Sequence, residues 1–126
     1  MTEPTLHPGA RIAVIIPALN EEASLPKVLT SLPWEAVDKV VVVDNGSRDR
    51  TAEVARTEGA TVLHENRRGY GWACLAGIRF LEDSSPDVLV FLDGDFSDYP
   101  EDLYDVVRPI VHEDYDFVVG TRTQLA

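Results

Sequence analysis

The apolar residues of this chain occur in short runs rich in valine and isoleucine, and segments with apolar residues at helical spacing separate these runs. A run that is apolar at every position predicts a strand buried on both faces, as in a parallel sheet. The predicted strands are residues 11–16, 39–43, 61–64, 88–92 and 116–119. Helices are predicted from about Ser24 to residue 32 and at 51–58, 70–81 and 100–111.

Residues with strong local preferences set the ends of these elements. Pro17 is predicted to end the first strand, because it lacks the N–H group that a central strand needs. Ser24 and Thr51 can cap the first two helices through their hydroxyl groups, and Gly59 can end the second. The alternation of strands and helices predicts an α/β fold, with helices on both faces of a mostly parallel sheet.

The elements fit one domain. Residues 1–10 are predicted to form an N-terminal tail and residues 11–126 the domain itself, which is long enough to bury a core. Few residues follow the last predicted strand, so its edge would lack a covering helix. An exposed edge of this kind predicts association into a homo-oligomer.

Composition narrows the choice of partners. A formal charge of -11 disfavours nucleic acid, since phosphate backbones are bound by clustered lysine and arginine. Cys74 is the only cysteine, which fits a reduced, cytoplasmic setting. No apolar stretch approaches the roughly 20 residues of a membrane span, and the first residues lack the order of a signal peptide. Attachment to a membrane is therefore expected only at its periphery, through a partner or a lipid acceptor.

The residues Asp93-Gly94-Asp95 directly follow the fourth predicted strand. In parallel α/β sheets, ligands bind outside the carboxyl ends of the strands, where these two carboxylates are expected to emerge. Carboxylate oxygens are hard ligands that suit Mg²⁺ or Mn²⁺ bridging to a phosphorylated substrate. The alternative is a solvated turn at the end of a strand, which short acidic loops commonly form.

Two further loops are expected at the same edge of the sheet. One follows the first strand and contains Asn20 and Glu21, and the other follows the second strand and contains Asp44 and Asn45. Asn20 or Asp44 could hydrogen-bond a base or ribose. Each of these residues also has a structural alternative, because Asn20 and Glu21 suit the start of a helix and Asp44 suits a turn before Gly46.

Five segments of the chain resemble the family 2 glycosyltransferases of the GT-A fold, especially the branch that makes polyprenyl-phosphate sugars. The segments are VIIPALNEE (14–22), VVDNGSRDRT (42–51), NRRGYG (66–71), FLDGD (91–95) and VGTR (119–122). The resemblance implies a three-layer α/β/α sandwich, of which the chain contains the nucleotide-binding part and lacks the acceptor part. It also implies a UDP- or GDP-linked sugar as donor and Mg²⁺ or Mn²⁺ as cofactor.

The resemblance assigns roles to individual residues. It implies that the first loop holds the nucleotide through Pro17, Leu19 and Glu21, and that Asp44, with Asn45 beside it, contacts the base. Many relatives have two acids where this chain has Asp44 and Asn45, so Asn45 is a departure that bears on base preference. The diphosphate would face Arg67 or Arg68. The donor sugar and a metal-bound diphosphate would lie at Asp93, Gly94, Asp95, Ser97 and Arg122.

The reaction implied is the transfer of a sugar, with inversion, to an acceptor such as a polyprenyl phosphate. A carboxylate base would come from a segment beyond Arg122, so no catalytic base can be named. One alternative is a module or fragment that binds nucleotide sugars without transferase activity of its own. The other is an acidic phosphohydrolase, which is disfavoured because the nucleophilic aspartate of that class follows the first strand, where this chain has Pro17-Ala18-Leu19-Asn20.

Overall fold

The computed structural model describes residues 11–94 and the strand residues 118–119. The strands within these residues are Ile12–Ala18 (β1), Lys39–Asp44 (β2), Thr61–His64 (β3), Val88–Phe91 (β4) and Val118–Val119 (β5). The helices are Leu25–Ser31 (α1), Thr51–Thr57 (α2) and Tyr70–Leu81 (α3). The predicted bounds of β3 and α3 are confirmed, whereas the helix predicted at 100–111 lies outside the described residues.

The strands form one sheet in the order β3-β2-β1-β4-β5, and every pair of neighbours is parallel. Strand β1 is central: Val14 pairs with Val40 of β2 on one side and with Val90 of β4 on the other. The chain adds β2 and β3 on one side of β1 and then crosses back to add β4 on the other side. The topological switch point, where such sheets bind ligands, therefore lies between the carboxyl ends of β1 and β4.

The two faces of the sheet are covered by different helices. Even-numbered residues of β1, such as Val14 and Ile16, belong to a buried cluster with Leu25, Val28 and Leu29 of α1. Odd-numbered residues of β1 belong to a second cluster, which includes residues of α3. Because successive side chains of a strand point to opposite faces, α1 and α3 lie on opposite sides of the sheet. The predicted three-layer arrangement is confirmed.

The prediction that Pro17 ends the first strand is wrong, because β1 continues through Ala18. In β1, Ile15 directs its carbonyl towards Leu92, just beyond β4, and Ala18 directs its carbonyl towards Asn45, just beyond β2. Backbone groups of odd-numbered residues thus face β4, whose pairing with β1 ends at Ile15 and Phe91. The missing N–H group of Pro17 costs no ladder hydrogen bond, so the strand tolerates the proline.

The predicted capping roles of Ser24 and Thr51 are also wrong. Neither side chain caps a helix, and Thr51 is the first residue within α2. The Ser24 hydroxyl instead lies 2.7 Å from the carbonyl oxygen of Gly94, and the Thr51 hydroxyl accepts the N–H of Glu21 at 2.8 Å. Both hydroxyl groups therefore form hydrogen bonds with backbone groups of other loops and not with the helix ends. Helix α2 ends at Thr57, and Gly59 follows with a left-handed φ of 99°.

The contact between α3 and β1 leaves no room for a side chain at Gly77. A Cβ atom at this position would lie 2.7 Å from Cγ2 of Ile15, which is fully buried and cannot move away. We expect Gly77→Ala to lower the free energy of unfolding by about 1–3 kcal/mol, because overpacking outweighs the better helix propensity of alanine. The midpoint of chemical denaturation measures this change.

Gly71→Ala is the matched control on the same helix, since a Cβ atom there meets nothing within 4 Å. We expect this variant to be at least as stable as the wild type. Equal stability of the two variants would contradict the close packing of α3 on β1.

Candidate functional site

A cleft of about 430 Å³ opens at the carboxyl ends of the strands, beside the switch point. It brings together seven of the residues predicted from the sequence: Pro17, Leu19, Glu21, Asn45, Arg68, Asp93 and Gly94. The segment that leads into α3 also lines the cleft, through Arg68, Gly69 and Tyr70. Of the other predicted site residues, Asn20, Asp44 and Arg67 are not part of this lining, and Asp95, Ser97 and Arg122 lie outside the described residues.

The β1–α1 loop (residues 19–24) is fixed to the β2–α2 loop (residues 45–50) by hydrogen bonds from backbone N–H groups to side-chain oxygens. The Asn20 N–H donates to the Ser47 hydroxyl at 2.8 Å, and the Arg48 N–H donates to the Asn20 side-chain oxygen at 2.8 Å. Asn20 has a left-handed φ of 54°, which asparagine tolerates better than most residues. The Asn20 side chain therefore shapes the two loops.

Asp44 is buried at the end of β2, and both of its carboxylate oxygens face polar groups. Oδ1 accepts the Ser47 N–H at 2.9 Å, and Oδ2 lies 3.6 Å from Nδ1 of His64. The other ring nitrogen of His64 lies 3.2 Å from Nη2 of Arg56. Because an arginine can only donate, this contact assigns the proton of a neutral His64 to the nitrogen that faces Asp44. His64 escaped the sequence analysis, although parallel pairing of adjacent strands places it beside Asp44.

Asn45 is buried and makes three side-chain hydrogen bonds to the β3–α3 loop (residues 65–69). Its amide nitrogen donates to the carbonyl oxygens of Glu65 at 2.9 Å and Arg67 at 2.8 Å. Its amide oxygen accepts the Gly69 N–H at 3.0 Å. The backbone of the neighbouring loop thus uses both donors of this amide and one of the two lone pairs on its oxygen.

The two arginines of the β3–α3 loop have different environments. Arg67 makes a bidentate ion pair with Glu65, at 2.9 and 3.0 Å, and its guanidinium group stacks 4.0 Å from the ring centroid of Trp72. Hydrogen bonds from the Arg67 side chain and backbone lower the pKa of Glu65 to about 2. Arg68 instead lines the cleft, and its Nε lies 3.5 Å from the point where a Cβ on Gly46 would sit. Arg68 is therefore the arginine placed to meet a ligand in the cleft.

Asp93 and Gly94 connect β4 to the cleft. Asp93 is partly exposed there, and its negative charge adds to the effect of burial in raising the pKa of the nearby Cys74 thiol. This shift keeps Cys74 protonated and poorly nucleophilic. A Cβ on Gly94 would lie 3.4 Å from both Ala18 and Glu21, so the backbone of Gly94 packs closely on the β1–α1 loop.

A divalent cation could be held here by few protein ligands. Within residues 11–94 and 118–119, no three His, Cys, Asp or Glu side chains cluster closely enough to hold a metal ion. Mg²⁺ is typically bound through one or two carboxylates, with waters and substrate phosphates completing its ligands. Asp93 fits this pattern, because it places a hard oxygen ligand on the lining of the cleft.

A larger cavity of about 490 Å³ lies at the opposite, amino-terminal edge of the sheet, beside Arg11, Lys39 and Phe80. Two carboxylates at this edge of the sheet, those of Asp38 and Asp87, have structural roles. Oδ2 of Asp38 accepts the Ile12 N–H at 2.7 Å, and Oδ2 of Asp87 accepts the Arg11 N–H at 2.8 Å. These bonds satisfy the backbone at the start of β1. The carboxyl-terminal cleft is therefore the stronger candidate for a functional site.

A cleft at the switch point of a parallel sheet, with a helix N-terminus and an arginine on its lining, is typical of α/β domains that bind nucleotides. The profile of the family described as Glycosyl transferase family 2 matches residues 13–124. The chain belongs to this family, and the resemblance stated from the sequence is confirmed.

No helix within the described part of the chain is long and apolar enough to cross a membrane.

Two curated relatives act on lipid phosphates according to their names. The UDP-N-acetylglucosamine–dolichyl-phosphate N-acetylglucosaminyltransferase of Methanococcus voltae is 28% identical, over 88% of this chain and 51% of that protein. The undecaprenyl-phosphate 4-deoxy-4-formamido-L-arabinose transferase of Pseudomonas aeruginosa is 35% identical, over 94% of this chain and 37% of that protein. The chain spans about half the length, or less, of the curated relatives it matches.

A similar solved structure is that of glucosyl-3-phosphoglycerate synthase from Mycobacterium tuberculosis, in complex with Mn²⁺, UDP and glucosyl-3-phosphoglycerate. It is 33% identical and superposes with a TM-score of 0.71, over 83% of this chain and 41% of that one. The GT-A fold expected from the sequence is thereby confirmed.

The ion pair between Glu65 and Arg67 predicts a specific dependence of stability on pH. The pKa of Glu65 is lowered from 4.5 to about 2 in the folded chain, so its contribution is present above about pH 4.5 and is lost as the pH falls towards 2. We therefore expect Glu65→Gln to unfold at a lower urea concentration than the wild type near neutral pH. The gap between their midpoints should shrink as the pH falls from about 5 to about 2.

Glu53→Gln is the control, because Glu53 pairs with Arg50 at 3.0 Å on the exposed surface of α2. An exposed ion pair contributes little to stability, so the midpoints of Glu53→Gln and the wild type should differ little between about pH 5 and about pH 2. A Glu65→Gln gap that stays constant as the pH falls would contradict the role of the ionised carboxylate.

Proposed function

We propose that the cleft binds the nucleoside diphosphate of a UDP- or GDP-linked sugar, and that the chain is the donor-binding half of a metal-dependent glycosyltransferase. The observation that carries the proposal is the placement of Arg68, the start of α3 and Asp93 on the lining of one cleft at the switch point. The complex of a similar structure with Mn²⁺ and UDP supports the same kind of ligand.

Arg68 and α3 suit the diphosphate. A guanidinium group makes charge-assisted hydrogen bonds to phosphate oxygens, and the N-terminal N–H groups of a helix favour anions. Helix α3 begins at Tyr70, directly after two residues that line the cleft, Arg68 and Gly69. A nucleoside diphosphate leaves readily only when its developing charge is neutralised, so the same groups would assist departure from the sugar.

Asp93 would hold a divalent cation, together with Asp95 and the hydroxyl of Ser97. When bound, Mg²⁺ or Mn²⁺ would act as a Lewis acid on the leaving diphosphate. The close packing of Gly94 on Ala18 and Glu21 keeps the backbone next to Asp93 against the β1–α1 loop. This contact fixes the carboxyl end of β4 relative to the nucleotide-binding loop.

The base and ribose would lie along the β1–α1 loop, at Pro17, Leu19 and Glu21. Leu19 is 40% exposed, and it offers an apolar surface to a base at the cleft. Asn20 and Asp44 would act on the same ligand through the shape of the loops, because their side-chain oxygens accept the N–H groups of Arg48 and Ser47. Arg122 would lie near the donor sugar.

The acceptor we propose is a polyprenyl phosphate, with inversion at the sugar carbon by a single displacement. The names of two relatives, which specify dolichyl phosphate and undecaprenyl phosphate, support this choice. A phosphate acceptor is already anionic and needs little help from a general base. The chain would then meet its acceptor at the surface of a membrane.

A second candidate function is the binding of nucleotide sugars without transfer. It would use the same groups on the lining of the cleft, Arg68, the start of α3 and Asp93, with no acceptor bound. Incubation with nucleotide sugar and polyprenyl phosphate separates the two functions. Formation of a lipid-linked sugar supports the transferase, and donor binding without turnover supports the module.

Calorimetric titration with UDP, GDP, UDP-glucose and GDP-mannose, with and without Mn²⁺, tests the donor site directly. We expect one nucleotide to bind only with the metal, and Asp93→Ala and Asp95→Ala to abolish that binding, because each removes a carboxylate from the proposed ion site. Asp83→Ala removes the same charge from an exposed position at the opposite edge of the sheet and should leave binding unchanged. Failure of all four nucleotides to bind the wild-type chain would contradict the proposal.

The two neighbouring arginines provide a finer test. We expect Arg68→Gln to weaken binding of the identified nucleotide by about tenfold, since a charge-assisted contact to the diphosphate is lost. Arg67→Gln should mainly lower stability, because the Arg67 guanidinium is already bound by Glu65 and stacked on Trp72. Titration gives the affinities and thermal unfolding gives the stabilities. The reverse pattern would assign the diphosphate to Arg67.

A further inference from the structure

The Asn45 amide links the cleft to the loop that carries Arg68. Its three hydrogen bonds, all between 2.8 and 3.0 Å, reach backbone groups of Glu65, Arg67 and Gly69. Arg68 lies between the second and third of these residues. Fixing the Arg67 carbonyl and the Gly69 N–H therefore fixes the backbone on both sides of Arg68.

Gly69 gives this contact further importance. It is the residue that precedes α3, and its φ of 129° is one that other residues rarely adopt. The bond to Asn45 uses the Gly69 N–H and holds this unusual turn in place. The first turn of α3 is thereby held at the cleft, beside Arg68.

We infer that Asn45 is a positioning residue, which sets Arg68 and the start of α3 at the cleft, and that this role requires an amide. The inference rests on the proposed function for its consequence in nucleotide binding. A carboxylate at this position could accept the Gly69 N–H but could not donate to the carbonyls of Glu65 and Arg67. The carbonyl oxygens of Glu65 and Arg67 would then face a carboxylate oxygen, which can also only accept, and both would lose their hydrogen bond. In this inference Asn45 acts through the loop, whereas the sequence predicted a contact with the base.

Several charged groups surround Asn45 and bear on any dependence on pH. Arg67 and Arg68 are in the same loop as its partners, and His64 lies beside the Asp44 carboxylate. The carboxylates nearby, on the ends of β1, β2, β3 and β4, are Glu21, Asp44, Glu65 and Asp93. Each of these groups is present in every variant, so affinities expressed relative to the wild type at the same pH isolate the new carboxyl group.

The test uses the full chain with UDP and GDP in the presence of Mn²⁺, and compares Asn45→Asp with Asn66→Asp. Asn66 lies on the same loop and is exposed, so its substitution adds the same charge without touching the three bonds. We expect Asn45→Asp to weaken nucleotide binding by at least about tenfold at pH values near 8. Binding should recover towards the wild-type value as the pH falls to about 5, because a protonated carboxyl group can donate one hydrogen bond.

Backbone hydrogen exchange in the nucleotide-free chain tests the positioning on its own. The Gly69 amide should exchange faster than in the wild type in Asn45→Ala, which removes the side-chain oxygen that accepts its N–H, and at the wild-type rate in Asn66→Asp. Asn45→Ser serves if the aspartate variant does not fold. Its single hydroxyl group cannot replace the three hydrogen bonds of the amide, so exchange at Gly69 should accelerate and nucleotide binding should weaken. Because serine has no carboxyl group, binding should not recover at low pH.

The outcomes separate the two proposals. Faster exchange at Gly69 supports the positioning role even if the wild-type chain binds neither nucleotide, a result that would contradict the proposed function alone. Unchanged exchange at Gly69 in Asn45→Ala overturns the inference. Weaker binding with unchanged exchange would mean that Asn45 touches the nucleotide itself, which also overturns it.

Discussion

The burial of β1 on both faces and along both edges is the constraint on which the rest of the structure depends. Residues Ile12 to Ile16 are at most 2% exposed, since β2 and β4 flank the strand and α1 and α3 cover its faces. Such a strand can carry polar groups only at its ends. The chain reverses its direction of sheet building around β1, so the loops at its carboxyl end diverge and leave a cleft. The position of the site thus follows from the packing of an apolar strand.

The loops around this cleft are fixed by side chains that bond to backbone. The side-chain oxygens of Asn20, Asp44 and Asn45 each accept a backbone N–H from the β2–α2 loop or the β3–α3 loop, at 2.8–3.0 Å. A backbone N–H buried without a partner costs free energy comparable to a lost hydrogen bond, so these contacts keep irregular loops in one conformation. A preorganised loop loses less conformational entropy when a ligand binds. These three polar residues therefore support the loops that line the cleft.

The fold could be predicted from the sequence because it depends on local patterns. The valine-rich runs located β2 and β4 to within one residue, and the spacing of small and apolar residues gave both ends of α3. The errors arose where tertiary contacts decide the outcome. Pro17 is tolerated because its missing N–H faces the side where pairing with β4 has ended. Ser24 and Thr51 do not cap their helices, because Gly94 and Glu21 lie within reach of their hydroxyl groups.

The candidate site was predictable in its location but less so in the roles of its residues. The partners of Asn45 lie 20 to 24 positions further along the chain, so its three bonds depend on the pairing of β2 with β3. The distinction between Arg67 and Arg68 depends on which of two adjacent side chains meets Glu65 and Trp72. No periodicity encodes either fact. Motif residues can therefore fall into two groups, one that faces the ligand and one that holds the loops.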